Sequence, residues 1–246
     1  MNDSLSTAPI AEVRNVRHNY SGVLALAAVS LGIEPGSFTA ILGPNGAGKS
    51  TLAQILGGLL KPSAGEVIFD GGQGPRVGSL VRQGICLVPE GRRLFGELTI
   101  EENLVVAGYG AGLKRKQLRE RVAQVAETLP PNLREGMGSR LAMTLSGGER
   151  QLLALSRALM SAPRLILLDE PSMGLAPMMV DKVYKILADL RKGGVAVVVI
   201  EQIATHALEH ADKIYLLSRG QIVYGGPPSD ESATEAIKLS YVGDVQ

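Results

Sequence analysis

The chain has 246 residues, of which 45% are hydrophobic and only 4% aromatic, enough for one large domain with an aliphatic core. The net charge of +1 argues against a protein that binds nucleic acid through general electrostatics. No apolar run approaches the roughly 20 residues of a membrane span, and the polar residues 1–10 lack the features of a secretory signal. Any membrane role is therefore expected to come through partners.

Short apolar segments bounded by turn signals predict strands at 12–20, 24–33, 37–42, 66–70, 165–169 and 195–201. A Gly-rich turn follows residue 70, and a helix at 177–191 separates the last two strands. Residues 213–226 predict a hairpin that turns at Arg219–Gly220. The continuous apolar strands that alternate with helices predict an α/β fold whose parallel sheet is covered on both faces.

Residues 99–160 are predicted to be mainly helical, with a helix at 113–129 that Pro130 and Pro131 end. One face of this helix is apolar and consists of Leu118, Val122, Val125, Ala126 and Leu129. Its basic cluster, Lys114 to Arg121, is read as a solvated face, with DNA contact as the minor alternative. Cys86, the one cysteine, is predicted in a buried strand; it cannot form an internal disulfide, and a reducing cytosolic setting is expected.

The segment "GPNGAGKST" matches the pattern of a phosphate-binding loop and lies between a predicted strand and a predicted helix. Its glycines let the backbone wrap around phosphates, and the following helix N-terminus favours an anion. Lys49 is expected to bridge the β- and γ-phosphates and Ser50 to ligate Mg²⁺. The alternative is an ordinary Gly-rich turn. The candidate nucleotide-binding residues are Gly43, Pro44, Asn45, Gly46, Ala47, Gly48, Lys49, Ser50 and Thr51.

A pair of carboxylates follows the apolar strand 165–169. Asp169 is expected to hold Mg²⁺ directly or through water, and Glu170 to act as the general base toward the attacking water. Such a pair at a strand end can also be a helix cap. The phosphate-loop pattern in the same chain favours the catalytic interpretation.

A third motif, "LSGGERQ" at 145–151, lies between the phosphate loop and the Asp-Glu pair. From about residue 11 to 226 the chain resembles the ATP-binding cassette (ABC) ATPases, of which this motif is the signature. The resemblance implies that two such subunits pack head to tail around two ATP molecules. The turn formed by Ser146, Gly147 and Gly148 is then expected to clamp the γ-phosphate of an ATP bound to the other subunit. It also implies that Tyr20 stacks on adenine.

Three positions depart from the common pattern of that family. Glu90 replaces a Gln, which makes it a candidate Mg²⁺ ligand and the next candidate base; Ala176 replaces an Asp; and Gln202 replaces the His that contacts the γ-phosphate. His206 is read as a helix-face residue without a catalytic role. Gln202 can donate a hydrogen bond to phosphate but cannot titrate as His can.

The segments "VPEGRR", "EPSMGLAP" and "VIEQ" together resemble the ATPase subunits of bacterial uptake systems for branched-chain and other hydrophobic amino acids, and specifically the subunit type that lacks the switch His. Closely related branches import urea or amides. The resemblance implies ATP and Mg²⁺ as cofactors and a second ATPase subunit, in a heterodimer or a homodimer. It further implies two integral membrane permease subunits that dock at 87–104, an indirect periplasmic binding protein, and a peripheral position on the cytoplasmic face of the inner membrane.

The implied fold is a single P-loop cassette with a mostly parallel core sheet, an antiparallel β subdomain and a helical subdomain. The core with its β subdomain is expected at about 11–91 and 159–226, the helical subdomain at about 92–158, and a C-terminal helix or tail at 227–246. The alternative function is a non-transport ABC ATPase, such as an iron–sulfur assembly scaffold or a DNA or ribosome factor. One cassette without a coiled-coil insertion argues against the last of these. A GTPase or a small-molecule kinase is disfavoured because the chain has no N-K-x-D guanine motif and because the signature turn would go unexplained.

Overall fold

A computed structural model describes residues 8–70 and 80–242 of the chain. The first seven residues, the Gly-rich turn predicted after residue 70 and the last four residues of the tail lie outside the described ranges. The described strands are β1 (Ala11–Tyr20), β2 (Val23–Ile33), β3 (Phe38–Leu42), β4 (Ala64–Phe69), β5 (Ile85–Val88), β6 (Leu165–Asp169), β7 (Ala196–Glu201), β8 (Lys213–Ser218) and β9 (Gln221–Gly226). The described helices are α1 (Lys49–Leu56), α2 (Ile100–Gly110), α3 (Arg115–Ala126), α4 (Pro131–Arg134), α5 (Gly147–Leu159), α6 (Pro177–Lys192), α7 (Thr205–His210) and α8 (Glu231–Val242).

The strands form two sheets. A three-stranded antiparallel sheet has the order β2-β1-β4, and a six-stranded sheet has the order β5-β6-β7-β3-β8-β9. In the larger sheet all neighbours are parallel except β8 and β9, which form the predicted hairpin. The predicted α/β class, with a mostly parallel core sheet and a separate antiparallel sheet, is confirmed.

The large sheet is covered on both faces, as its unbroken apolar strands predict. Along β3, Phe38, Ala40 and Leu42 belong to a core cluster that includes apolar residues of α5 and α6. Ile41, between them, belongs to a second cluster on the opposite face, with residues of α1 and of the antiparallel sheet. This alternation follows from the two-residue period of a strand.

The sheet order places the functional segments at one edge. Strands β6, β7 and β3 are parallel neighbours, with Asp169 opposite Ile200 and Leu42 opposite Glu201. The residues after these three strands, which include the phosphate loop, Glu170 and Gln202, therefore lie side by side. Ligands bind at such carboxyl edges in open α/β sheets.

The helix predicted at 113–129 is shorter than expected and spans 115–126. It ends before the prolines, where the Thr128 hydroxyl donates to the Val125 carbonyl. Pro130 and Pro131 instead begin the one-turn helix α4, in which Pro131 takes the first position that suits its fixed φ and missing N–H. The predicted apolar face is buried and most of the basic cluster 114–121 is exposed, as expected.

Cys86 is buried in β5, as predicted, and its Sγ lies 2.8 Å from the Ser161 Oγ. The division into a core and a helical subdomain at about 92 and 158 stays a prediction. In the part of the chain that the structure describes, no helix combines the length and the apolar character needed to cross a membrane.

Candidate functional site

The phosphate loop connects β3 to α1, as its sequence predicts. Gly46 and Gly48 have φ of 77° and 102°, in the left-handed region that favours glycine. A Cβ on Gly48 would lie 2.5 Å from the Ala25 carbonyl oxygen, and one on Gly43 would lie 2.2 Å from that of Leu217. Gly48 occupies the N-cap of α1 and provides no side-chain cap, so the first N–H groups of the helix are left to an anion.

Most of the predicted site residues line one pocket of about 460 Å³ around this loop. Its lining residues are Tyr20, Ala25, Asn45, Gly46, Gly48, Lys49, Ser50, Thr51, Glu90, Glu170, Met173 and Gln202. Three other predicted residues of the loop, Gly43, Pro44 and Ala47, shape its backbone without lining the pocket. The signature turn at 146–148 does not line it either.

Lys49 is the one cationic side chain among the described residues that line the pocket. Its side chain is only 4% exposed, and its Nζ lies 3.4 Å from the Glu170 Oε1 and donates to the Pro44 carbonyl oxygen at 3.0 Å. Glu170 adopts a φ of 49°, while its N–H donates to the Ile200 carbonyl at 2.8 Å. The predicted base and the predicted phosphate-binding lysine therefore contact each other directly.

Ser50 and Asp169 form the candidate metal position. The Ser50 hydroxyl donates to the Asp169 Oδ1 at 3.5 Å, and Asp169 is 6% exposed. Burial raises the pKa of Asp169 to about 6; the Ser50 hydrogen bond opposes this shift, and the charges of Glu170 and Glu90 add to it. A divalent cation would relieve this concentration of negative charge, so the residues fit Mg²⁺.

The described residues contain no group of three or more His, Cys, Asp or Glu side chains arranged to hold a metal by themselves. This is compatible with Mg²⁺, which keeps several waters and takes one or two protein ligands together with substrate phosphates. Glu90 lies in an exposed position on the pocket wall, and its predicted roles as ligand or base stay predictions.

Tyr20 ends β1, lines the pocket and is 45% exposed, so part of its side chain is accessible to a planar base. The ring of the buried His18 packs edge-on against it, with 4.6 Å between the ring centroids. Sequence reasoning missed His18, although two residues that alternate on a strand share one face.

Residues 146–148 begin α5, as the motif predicts. The Glu149 N–H donates to the Ser146 Oγ at 3.3 Å, and the Ser146 N–H donates to the Glu149 Oε2 at 2.8 Å. Burial raises the pKa of Glu149, but hydrogen bonds from Ser146 and Arg140 outweigh it and hold the pKa below its ordinary value. This Ser-x-x-Glu capping box is readable from sequence and fixes the turn without using the phosphate loop.

Part of the segment 87–104 lines a second cavity, a groove of about 420 Å³ between β5, α2 and α5. Arg157 donates to the Arg93 carbonyl oxygen at 2.7 Å and lies 4.9 Å from the centre of the Phe95 ring. Phe95 is exposed, and burial lowers the pKa of Arg157. The groove is thus apolar with arginines along it.

His206 lies on α7, as predicted for a helix-face residue. Its ring packs against Tyr184 at 5.7 Å, and its Nδ1 is 3.9 Å from the Asp181 Oδ1. It is not among the residues that line the nucleotide pocket. Gln202 lies in the pocket instead, at the end of β7.

Fold and site together define a P-loop ATPase cassette: a mostly parallel sheet, a glycine-rich loop that leads from β3 into a helix, and a carboxylate pair at the end of β6, which β7 separates from β3. Residues 26–173 match the profile described as ABC transporter. The chain belongs to this family and is an ATP-hydrolysing enzyme.

Two relatives share the subclass that the sequence suggests. The chain is 40% identical to the high-affinity branched-chain amino acid transport ATP-binding protein BraG of Pseudomonas aeruginosa, over 91% of this chain and 95% of BraG. It is 34% identical to the probable branched-chain amino acid transport ATP-binding protein LivF of Archaeoglobus fulgidus, over 89% of this chain and 93% of LivF. It is 31% identical to the lipopolysaccharide export system ATP-binding protein LptB of Escherichia coli, over 94% of this chain and 96% of LptB.

Solved structures agree on the fold. A nucleotide-free ATP-binding cassette from an ABC transporter superposes with a TM-score of 0.82 at 27% identity, over 96% of this chain and 97% of that chain. The cassette MJ0796, a dimer in a post-hydrolysis state bound to ADP and phosphate, superposes with a TM-score of 0.79 at 27% identity, over 89% of this chain and 99% of that chain. The recognition of the family from "LSGGERQ" is confirmed.

Proposed function

We propose that this chain is the ATPase subunit of an importer for branched-chain amino acids. The observation that carries the ATPase site is the contact of Lys49 with Glu170 in one pocket with the phosphate loop, where Ser50 donates to the buried Asp169 behind the pocket lining. The likeness to BraG and LivF over nearly the whole chain supports the substrate class. A urea or amide importer is the second candidate, since those branches share the sequence features.

The contacts suggest how the residues act on ATP. The phosphate loop and the start of α1 bind the phosphates through N–H groups, and Tyr20 stacks on adenine. When phosphates enter, Lys49 transfers its ion pair from Glu170 to the phosphate oxygens, which frees the Glu170 carboxylate to take a proton from the attacking water. Gln202 donates a hydrogen bond to the γ-phosphate.

Ser50 and Asp169 would hold Mg²⁺, with Glu90 as a further candidate ligand. When bound, this ion neutralises charge on the phosphates. The Ser50 hydroxyl, which lines the pocket, donates to the buried Asp169 carboxylate, which does not line it, so each orients the other before the ion arrives.

A second ATPase subunit completes the site in this proposal. The turn at 146–148 does not line its own chain's pocket, so it is available to a nucleotide on another subunit. We favour a paralogue that carries the switch His, with a homodimer as the alternative. Two membrane permeases would dock in the groove beside Phe95 and place the complex on the cytoplasmic face of the membrane, where it serves a periplasmic binding protein indirectly.

Transport assays in a strain that lacks this gene test the proposal. The wild-type gene should restore uptake of labelled leucine, isoleucine and valine, whereas Glu170→Gln should not, although it is expressed equally. Urea and a short amide are the comparison substrates. If the gene restores uptake of urea or the amide alone, the proposed substrate class is wrong. If Glu170→Gln restores uptake to the wild-type level, Glu170 is not the general base.

An affinity tag on this chain provides the second test. A transporter subunit should copurify with polytopic membrane proteins from detergent-solubilised membranes, and Phe95→Glu should reduce that recovery because it places a charge in the apolar groove. Purification of the chain with DNA, ribosomes or iron–sulfur proteins and without membrane proteins would favour a non-transport ATPase.

A further inference from the structure

Glu201 is a buried carboxylate to which the proposed mechanism assigns no role. It is the last residue of β7 and is 2% exposed, directly before Gln202. The five residues before it in β7 are all apolar and buried. An apolar side chain would therefore satisfy packing alone, and a buried carboxylate carries a desolvation cost that hydrogen bonds must offset.

Two groups supply such hydrogen bonds. The Ser172 backbone N–H donates to the Glu201 Oε1 at 3.0 Å, and the Tyr184 hydroxyl donates to the same oxygen at 3.4 Å. Burial raises the pKa of Glu201, and the hydrogen bonds from Ser172 oppose that rise. Ser172 lies two residues after Glu170, in the segment 171–176 that leads into α6.

The backbone at the end of β7 contacts two further parts of the site. The Gly43 N–H, at the start of the phosphate loop, donates to the Glu201 carbonyl at 3.3 Å. The Glu170 N–H donates to the Ile200 carbonyl at 2.8 Å. The end of β7 thus joins the phosphate loop, the candidate base and the segment after the base, and the Glu201 side chain makes the third of these links.

We propose that Glu201 is a positioning residue of the ATPase site, which holds the segment after Glu170 in register with the strand end that carries Gln202. The inference rests on the proposed function, in which Glu170 and Gln202 act on ATP. A hydrogen-bond acceptor buried beneath residue 172 keeps the turn at Glu170 in place when the Lys49 ion pair is transferred to phosphate. The expected role is in turnover rather than in ATP affinity, because Glu201 does not line the nucleotide pocket.

Two variants of Glu201 separate the acceptor from the charge. Glu201→Leu is similar in size and leaves the Ser172 N–H without its acceptor; a displacement of about 1 Å at the base is expected to lower kcat about 10²-fold. The KM for ATP should stay within about threefold, since the groups that bind ATP are untouched. Glu201→Gln retains an oxygen acceptor and should keep kcat within about threefold of wild type. Both are measured in the transporter complex purified through a tag on this chain.

Tyr184→Phe is the matched control for fold. It removes the Tyr184 hydroxyl, the other donor to the Glu201 Oε1, but keeps the ring and the Ser172 hydrogen bond. Its kcat should therefore stay near wild type, even if its melting temperature falls by as much as that of Glu201→Leu. Residue-resolved hydrogen exchange on the wild-type chain adds a measurement that needs no variant: the Ser172 amide should be protected well above its exposed neighbours.

Several results would overturn the proposal. These are a Glu201→Leu complex that turns over within about threefold of wild type, a Glu201→Gln complex as slow as Glu201→Leu, and a Ser172 amide that exchanges freely in the wild-type chain. Glu170→Gln is assayed in parallel. If it retains turnover, the site assignment itself fails; if it is inactive while Glu201→Leu is active, only the positioning role fails.

Discussion

Gly147→Ala tests the signature turn without disturbing the ATP pocket of the same chain. A Cβ on Gly147 would have no neighbour closer than 3.9 Å, whereas one on Gly148 would lie 2.7 Å from the Met179 Cγ. A Gly148→Asp variant therefore combines any effect on a neighbouring nucleotide with a clash inside its own chain. Gly147→Ala adds one methyl group at ordinary van der Waals distance, 3.9 Å, from Arg92 and Gly174.

The two expected effects of Gly147→Ala have opposite directions. Gly147 is the first residue of α5, and replacing Gly by Ala within a helix gains up to about 1 kcal/mol, so the stability of the isolated chain should not fall. In the assembled complex the methyl group would occupy the surface that meets the partner's γ-phosphate. A displacement of about 1 Å there is expected to lower the rate of hydrolysis about 10²-fold.

Three measurements check this expectation. Thermal unfolding gives the stability of the isolated chain, its shift with Mg²⁺–ATP gives nucleotide binding, and phosphate release from the tagged complex gives turnover. We expect a stability equal to that of wild type or up to about 1 kcal/mol above it, an unchanged ATP shift and greatly reduced turnover. Turnover close to wild type would contradict the proposed contact in trans, and a lost ATP shift in the isolated chain would mean that the turn serves its own pocket.

Lys49→Met should remove the ATP-induced stabilisation of the chain, which at a hundredfold excess over Kd amounts to about 2.7 kcal/mol, or roughly 5 to 11 °C in Tm; an equal shift in variant and wild type would exclude the role of Lys49. Glu170→Gln should keep ATP binding but lower the rate of hydrolysis, measured by phosphate release, about 10² to 10⁴-fold. The ATP-bound dimer should then live longer in size-exclusion chromatography. A further prediction concerns pH. The folded pKa of Asp169, about 6, lies above its ordinary value of 3.8, so the stability that this group contributes is complete below pH 3.8 and is lost as pH rises through 6. Without Mg²⁺, Asp169→Asn should therefore lose less Tm than wild type between pH 4 and pH 6.5, and equal pH profiles would contradict the shift.

The phosphate loop could be predicted from sequence because its requirements are local. Gly46 and Gly48 adopt a positive φ, which favours glycine, so the residue pattern alone indicates the loop conformation. The same holds for the capping box at Ser146 and for the apolar run of β6. Each depends on residues that are close in the chain.

Features that depend on distant residues could not be predicted in this way. The predicted end of α3 is wrong because the prolines at 130–131, which predict the stop of one helix, begin the next. The Glu201–Ser172 hydrogen bond joins residues 29 apart and is created by the sheet order, which no local pattern encodes. The assignment of Tyr20, Glu90 and Gln202 to one pocket depended on family resemblance, since nothing in their spacing brings them together.

Gln202 leads to a final prediction about the two ATP sites of the proposed heterodimer. The site on this chain's own phosphate loop has Gln202, whereas the site on the partner's loop has His and takes its signature turn from this chain. A neutral amide holds the γ-phosphate more weakly than a charge-assisted donor, by about 1 kcal/mol, so the partner's site should carry more of the turnover. Gln202→Ala should then reduce hydrolysis by the reconstituted complex much less than Gly147→Ala, although Gln202 lines this chain's own pocket and the signature turn does not. Equal losses in the two variants would mean that the two sites contribute alike, and full turnover by this chain alone would remove the need for a distinct partner.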